Sequence, residues 1–238
     1  MKSIKPIKFV TLTNKGYLEY THNLVNSIIE NRIKLELDIF TLDNESQSYF
    51  NNMNLESTRI DNSDINFEFK DFQLQNSDNF YKIVYFKFYC INRLLSENNP
   101  VMFIDGDIVI KKNFINKIYN LTRDFDLVAQ SNKSPHDNND DEINSGFMLF
   151  KPGKTINKLI NPDRFSLKKF SKYKFHDQTY INNIKRKFNY KLLDLNLFPN
   201  GAHYKKYKYE LDPYMIHYNY LIGHEKKNQM IKDDNWYL

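Results

Sequence analysis

Two short apolar runs, residues 7–12 and 35–42, bracket a stretch in which Leu18, His22, Val25, Ile28 and Ile29 recur at helical spacing. Runs of that length read as buried strands, and the spacing between them reads as a helix with one apolar face. Strand, helix and strand in that order predict a parallel pair joined by a right-handed crossover. Asn14-Lys15-Gly16 punctuates the first strand and so falls at the carboxyl edge of the sheet. Open α/β sheets bind their ligands along that edge.

The pattern continues along the chain. A second helix is expected over residues 78–97, with Phe80, Val84, Phe88, Ile91 and Leu95 on one face. Val101-Met102-Phe103-Ile104 is too short and too apolar for anything but a central strand, and Ile108-Val109-Ile110 follows closely. Further strands are expected at 127–130, at 146–150, near Leu192 and at 214–218. Helices are expected at 154–160, 177–188 and 225–232. No internal repeat or linker interrupts the 238 residues, a length ample for one core. The expectation is one α/β domain over 1–238 with an irregular C-terminal part.

Composition narrows the function classes. With 41% apolar residues the chain is not a disordered tail, and no stretch approaches the ~18 apolar residues of a membrane span. The first residues lack the apolar segment of a signal peptide, and a lone cysteine, Cys90, rules out an internal disulfide framework. A cytoplasmic protein is expected, with Cys90 packed in an aromatic helix. Between residues 151 and 191, twelve Lys or Arg face two acids, Asp163 and Asp177, but no nucleic-acid motif accompanies them. That block reads as a solvated face, with contact to an anionic acceptor as the sharper alternative. Residues 134–142, with Asp137, Asp140, Asp141 and Glu142, read as a mobile loop. The 19 Phe and 17 Tyr leave room for a dimer interface. Glycine numbers only six, and neither G-x-G-x-x-G nor G-x-x-x-x-G-K-[ST] occurs. Phosphates, if bound, need another device.

Asp105-Gly106-Asp107 is the sharpest local signal, two carboxylates emerging from a buried strand. Hard oxygen ligands of this kind suit Mg²⁺ or Mn²⁺ bridging diphosphate oxygens. A hairpin turn, with Gly106 supplying a positive φ, is the alternative for the motif in isolation. It has company in Asn144-Ser145-Gly146 before an apolar strand and in Phe175-His176-Asp177-Gln178 opening a helix, where Asp177 also fits an N-cap. Ile216-His217-Tyr218-Asn219 ends a strand, ahead of Gly223, Lys227 and Trp236.

In that order, these pieces resemble a GT-A-fold glycosyltransferase of the nucleotide-diphospho-sugar transferase family. Its relatives include the plant cell-wall xylosyl- and arabinosyltransferases and, more distantly, the glycogenin-like transferases. Thr11 to Tyr17, Lys87 and Phe198-Pro199-Asn200-Gly201 complete the likeness, which spans nearly the whole chain. It implies a GT-A, Rossmann-like, mostly parallel sheet flanked by helices. It implies transfer from a UDP-sugar to a hydroxyl of a glycan, protein or small molecule, with retention at the anomeric carbon. Asp105, Asp107 and His217 would hold Mn²⁺ or Mg²⁺, the imidazole tilting the choice to Mn²⁺. Thr11, Thr13, Asn14 and Tyr17 would form the uridine site, Asp105 would also lie near the ribose, and Gly106 would belong to the substrate-binding set. Gly223 would let the backbone approach the diphosphate, and Lys227, with Lys226 as its neighbouring alternative, would neutralise the leaving UDP. Lys87 would reach the donor. Asn144, Asp177 and Gln178 would bond the sugar hydroxyls and line the face of the anomeric carbon, and Ser145 and Asn219 would join the substrate-binding set. A same-face displacement is favoured over a carboxylate nucleophile. The rivals are a non-catalytic sugar-nucleotide- or glycan-binding relative and a sugar nucleotidyltransferase. The second calls for an N-terminal glycine-rich loop that residues 11–17 lack.

Overall fold

A computed structural model of the chain describes residues 5–60, 78–135, 140–162 and 176–238. Among them the strands are β1 (Lys8–Thr13), β2 (Leu37–Thr41), β3 (Ser57–Arg59), β4 (Val101–Ile104), β5 (Ile108–Ile110), β6 (Leu127–Ser131), β7 (Ile143–Phe150), β8 (Tyr190–Leu193) and β9 (Met215–His217). The helices are α1 (Leu18–Glu30), α2 (Asn44–Asn52), α3 (Asp78–Ser96), α4 (Ile115–Leu121), α5 (Lys154–Leu159), α6 (Asp177–Ile184), α7 (Gly201–Tyr207) and α8 (His224–Lys232). Among the sequence expectations, Asp137, Phe175, the Phe80 side chain and residues 163–175 of the basic block lie outside the described residues.

Seven of these strands form one sheet in the order β3-β2-β1-β4-β7-β6-β8. Every pairing is parallel except the two that β7 makes, with β4 and with β6. The reason lies in the strand sequences. In β4, Val101 and Phe103 project into a core with α3, α5 and α6, while Met102 and Ile104 project into a second core with α1 and α4. A strand covered on both faces needs apolar residues at every position, and successive side chains then feed opposite cores. The parallel β1–α1–β2 unit forms as the spacing predicts.

The reversal of β7 matters for the site. Its amino end, rather than its carboxyl end, meets the ends of β1 and β4, which brings Asn144, Ser145 and Gly146 to the ligand edge. The strand begins at Ile143, so Asn144 and Ser145 lie within it and not ahead of it. β5 leaves the main sheet and pairs antiparallel with β9, with Ile108 opposite His217. The Asp-Gly hairpin alternative is therefore excluded: β4 and β5 belong to different sheets, and Gly106 does not have a positive φ.

The residue patterns of α2, β3, α4 and α7 gave little warning of these elements. α2 is mostly polar and rests on its Asp43 cap, whose carboxylate accepts from the Ser46 N–H at 2.7 Å. β3 is an edge strand, Ser57-Thr58-Arg59, with no apolar residue to mark it. Cys90 is fully buried, and burial pushes its thiol well above the ordinary range, in keeping with a packing role.

Candidate functional site

The carboxyl ends of β1 and β4, the amino end of β7, the start of α6 and the residues after β9 surround a cavity of about 340 Å³. At its floor the ligand atoms of Asp105, Asp107 and His217 all lie within 4.8 Å of one another. The His217 Nε2 atom is 3.1 Å from Asp107 Oδ1, and Lys226 Nζ is 2.5 Å from Asp107 Oδ2. Burial alone would raise the Asp107 pKa; Lys226 and then His217 outweigh it and hold the carboxylate far below its usual range. Asp105 goes the other way, because burial raises its pKa more than Lys87 lowers it. Two oxygen donors and one imidazole suit a transition-metal dication or Mg²⁺.

Glycine makes this cluster possible. A Cβ at Gly146 would meet His217 Cε1 at 2.2 Å and Asp105 Oδ2 at 2.6 Å, so any side chain there displaces the donors. A Cβ at Gly106 would meet Thr21 Oγ1 at 2.6 Å, which lets the Asp105–Asp107 turn lie directly on α1. Gly146→Ala is expected to destabilise the fold by about 1–3 kcal/mol through overpacking. Calorimetric titration should show divalent cation binding lost with it; wild-type affinity in that variant would mean the three donors are not a unit.

A second charged group stands beside the first. Lys87, buried on α3, lies 3.0 Å from Asp105 and 2.6 Å from Asp177, and donates to the Ser145 carbonyl at 3.3 Å. Burial would lower the Lys87 pKa, but Asp105 and Asp177 raise it above the normal lysine range. Burial would likewise raise Asp177, and Lys87 and then His176 hold it well below the carboxylate range. Asp177 also accepts from the Gln178 N–H at 2.9 Å, so its oxygens are already engaged by a cation, an imidazole and an amide.

The structure brings most of the expected residues to this cavity. Thr13, Asn14, Tyr17, Lys87, Asp105, Gly106, Asp107, Asn144, Ser145, Asp177, Gln178, His217 and Asn219 all line it. Burial first, then Asp107 and Asp105, push the Tyr17 phenol above its usual range, so it stays protonated. Asn219 fixes the turn into α7 by accepting from the Gly201 N–H at 2.9 Å.

Three expected residues sit elsewhere. Thr11 is buried within β1, beside Ile39 of β2, and does not reach the cavity wall. Lys227 pairs with Glu19 at 2.8 Å and lies 4.9 Å over the Trp236 ring, on the outer side of α8. Its neighbour Lys226 is the lysine that faces in, because one residue along a helix turns the side chain by about 100°. Gly223 adopts φ +54° as the cap of α8, but does not line the cavity itself. Its carbonyl accepts from the Tyr20 hydroxyl at 2.8 Å.

Residue patterns missed Gln130, whose Oε1 is 2.7 Å from His217 Nδ1, and Glu142, which accepts from Gln178 Nε2 at 3.3 Å. A glutamine in an apolar strand carries no sequence signal of its target. Glu142 closes the acidic segment, so that end of it abuts the site.

The same architecture occurs in solved glycosyltransferases. A galactosyltransferase, LgtC, determined with donor and acceptor sugar analogues, superposes with a TM-score of 0.58 at 12% identity, over 88% of this chain and 86% of its own. The glycosyltransferase GlyE of Streptococcus pneumoniae TIGR4 gives a TM-score of 0.58 at 16% identity, over 94% of this chain and 60% of its own. At these identities the likeness establishes the fold, the GT-A arrangement. By sequence, the UDP-galactose:fucoside alpha-3-galactosyltransferase of Dictyostelium discoideum is 26% identical over 97% of this chain. The chain spans 43% of that relative's length. The profile of the nucleotide-diphospho-sugar transferases matches residues 36–231, which run from β2 through the acidic pair, the β7 edge and His217 into α8. With the match extending over most of its length and through the β4, β7, α6 and β9 sides of the cavity, this chain belongs to the nucleotide-diphospho-sugar transferase family.

Proposed function

We propose that the protein is a metal-dependent glycosyltransferase that moves a sugar from a UDP-sugar to an acceptor hydroxyl with retention of anomeric configuration. The observation that carries the reading is the Asp105–Asp107–His217 cluster on the floor of the cavity, with Lys226 beside it. The donor set fits a divalent cation. The Gly146 cradle, which a single Cβ would fill, keeps that set assembled. A nitrogen among the ligands favours Mn²⁺ over Mg²⁺. When bound, such an ion supplies positive charge to the diphosphate.

The chain's own residues then have distinct tasks. Thr13, Asn14 and Tyr17 bind the nucleoside end, with Tyr17 available as a flat surface for the base. Lys226, now held by Asp107, is placed to transfer its charge to the leaving diphosphate, where cations count most in a water-poor cleft. It takes the role expected for Lys227. Asn144, Ser145, Gln178 and Asn219 orient the sugar hydroxyls. Asp177 is bound to Lys87, His176 and the Gln178 amide, a state that suits an anchor and blunts a nucleophile. This favours same-face displacement: the bond from the anomeric carbon to phosphate breaks as that to the acceptor oxygen forms. The acceptor's proton passes to the departing phosphate oxygen.

The galactosyltransferase named above makes UDP-galactose the first donor to test. Incubation with Mn²⁺ and a panel of UDP-sugars should release UDP from one donor preferentially, and NMR of the product should show the donor's anomeric configuration. Lys226→Ala should lose about 10²-fold in turnover, the scale of one lost charge-stabilising group, and Lys227→Ala little. An inverted product would sink the retaining mechanism. Equal losses at the two lysines would sink the assignment of Lys226.

A further inference from the structure

His217 can ligate a cation through Nε2 only if that nitrogen carries a lone pair, and the residue behind it decides whether it does. Gln130 is fully buried on β6, beside the irregularity where the β6–β7 register jumps from Ala129–Met148 to Gln130–Asn144. Its side chain ties the main sheet to the region of β9: Nε2 donates to the Phe198 carbonyl at 3.1 Å, and Oε1 lies 2.7 Å from His217 Nδ1. The chemistry of the Phe198 partner fixes which way the amide points. A backbone carbonyl only accepts, so the amide nitrogen must face Phe198 and the amide oxygen must face the ring. That oxygen also only accepts, and at 2.7 Å it draws the proton of a neutral ring to Nδ1 against the Asp107 carboxylate 3.1 Å from Nε2.

We propose that Gln130 is the positioning residue that holds His217 as its Nδ1–H tautomer, leaving the Nε2 lone pair aimed at the Asp105–Asp107 carboxylates. The inference rests on the reading of these three residues as metal ligands, and it explains why a fully buried amide follows Leu127-Val128-Ala129 in β6. Without Gln130 the ring has a competing partner, since Asp107 Oδ1 stands 3.1 Å from Nε2 and would draw the proton there. The proton would then occupy the ligand position itself. Partners behind ligating histidines typically govern metal affinity by 10–100-fold.

The test begins on metal-free protein at a pH alkaline enough for the ring to be neutral. Long-range ¹H–¹⁵N correlation should show His217 protonated at Nδ1 in the wild type and at Nε2 in Gln130→Leu. Mn²⁺ titration should show roughly 10–100-fold weaker binding in Gln130→Leu. Gln130→Glu separates positioning from packing, because it keeps an acceptor for Nδ1 but loses the bond to Phe198. Mn²⁺ affinity near the wild-type value in Gln130→Glu supports the proposal, and a loss equal to that of Gln130→Leu overturns it. An Nε2–H tautomer in the wild type overturns it outright, and that spectrum decides even if neither variant folds. A wild type that binds no Mn²⁺ defeats the metal reading instead, and the tautomers of the wild type and Gln130→Leu still judge what Gln130 does to the ring.

Discussion

Asp107→Asn is expected to remove about three orders of magnitude of metal-dependent UDP-sugar turnover while the protein stays folded. The size follows from the charge stabilisation that a bound cation gives a transferring group, several kcal/mol, at ~1.4 kcal/mol per tenfold in rate. The fold persists because the features that position residue 107 are backbone features: β5 pairs with β9, and the Tyr218 N–H donates to the Asp107 carbonyl at 3.1 Å. An asparagine of the same shape disturbs neither. It does remove the negative charge that now holds Lys226 and His217. UDP release, Mn²⁺ titration and a thermal melt on the same preparation separate the outcomes. Turnover at the wild-type rate in this variant, or in wild type stripped with EDTA, would falsify the metal assignment.

Lys87→Met should produce the largest loss of stability, about 3–5 kcal/mol, because the buried Asp177 carboxylate and the partly buried Asp105 carboxylate lose their shared cation. In a chain of this size that is roughly 10 °C in Tm. The pH dependence gives the more specific signature. In the wild type the folded pKa of Asp177 is depressed, first against the effect of burial and then by Lys87 and His176. A depressed carboxylate contributes stability above its unfolded value of about 3.9, and that stability is lost as the pH falls through the folded value. In Lys87→Met the burial effect is left without its main counterweight, and both Asp177 and Asp105 move upward. The contribution of Asp177 then reverses sign and that of Asp105, already unfavourable in the wild type, grows: the deficit is full at neutral pH and shrinks as the pH falls through the raised values. Denaturant melts between pH 7 and pH 4 should therefore bring variant and wild type closer together on acidification. A gap that stays constant would mean that Lys87 acts by packing alone. Adding Asp177→Asn to Lys87→Met should restore part of the stability by removing one stranded charge.

Much of the architecture was legible in the chain because burial writes itself into strand and helix patterns. The β1–α1–β2 unit, β4 and the long helix α3 are apolar at the positions that face the two cores. Elements held by capping or by an edge position, such as α2 and β3, leave no such imprint and were not legible. At the site, the pairing of residue types was readable but their direction was not. Lys226 and Lys227 are indistinguishable in sequence, and the turn of α8 alone sends one to Asp107 and the other to Glu19. Thr11 belongs to the same short segment as Thr13, yet it stays between strands while Thr13 reaches the cavity.

The strand–helix–strand unit at the amino end determined, from sequence, a parallel sheet with a ligand edge, because two apolar runs around one helix have no other way to pair and stay buried. The acidic pair, and the scarcity of glycine elsewhere, likewise pointed to a charge-based device for phosphate. Only the tertiary structure decided what completes that device. The β5–β9 pairing carries His217 across more than a hundred residues to Asp107. The reversal of β7 sets Gly146 between that ring and Asp105, and Gln130 stands behind the imidazole. Those relations are distances between residues remote in the chain, fixed by sheet order and packing, and no local pattern of side chains encodes them.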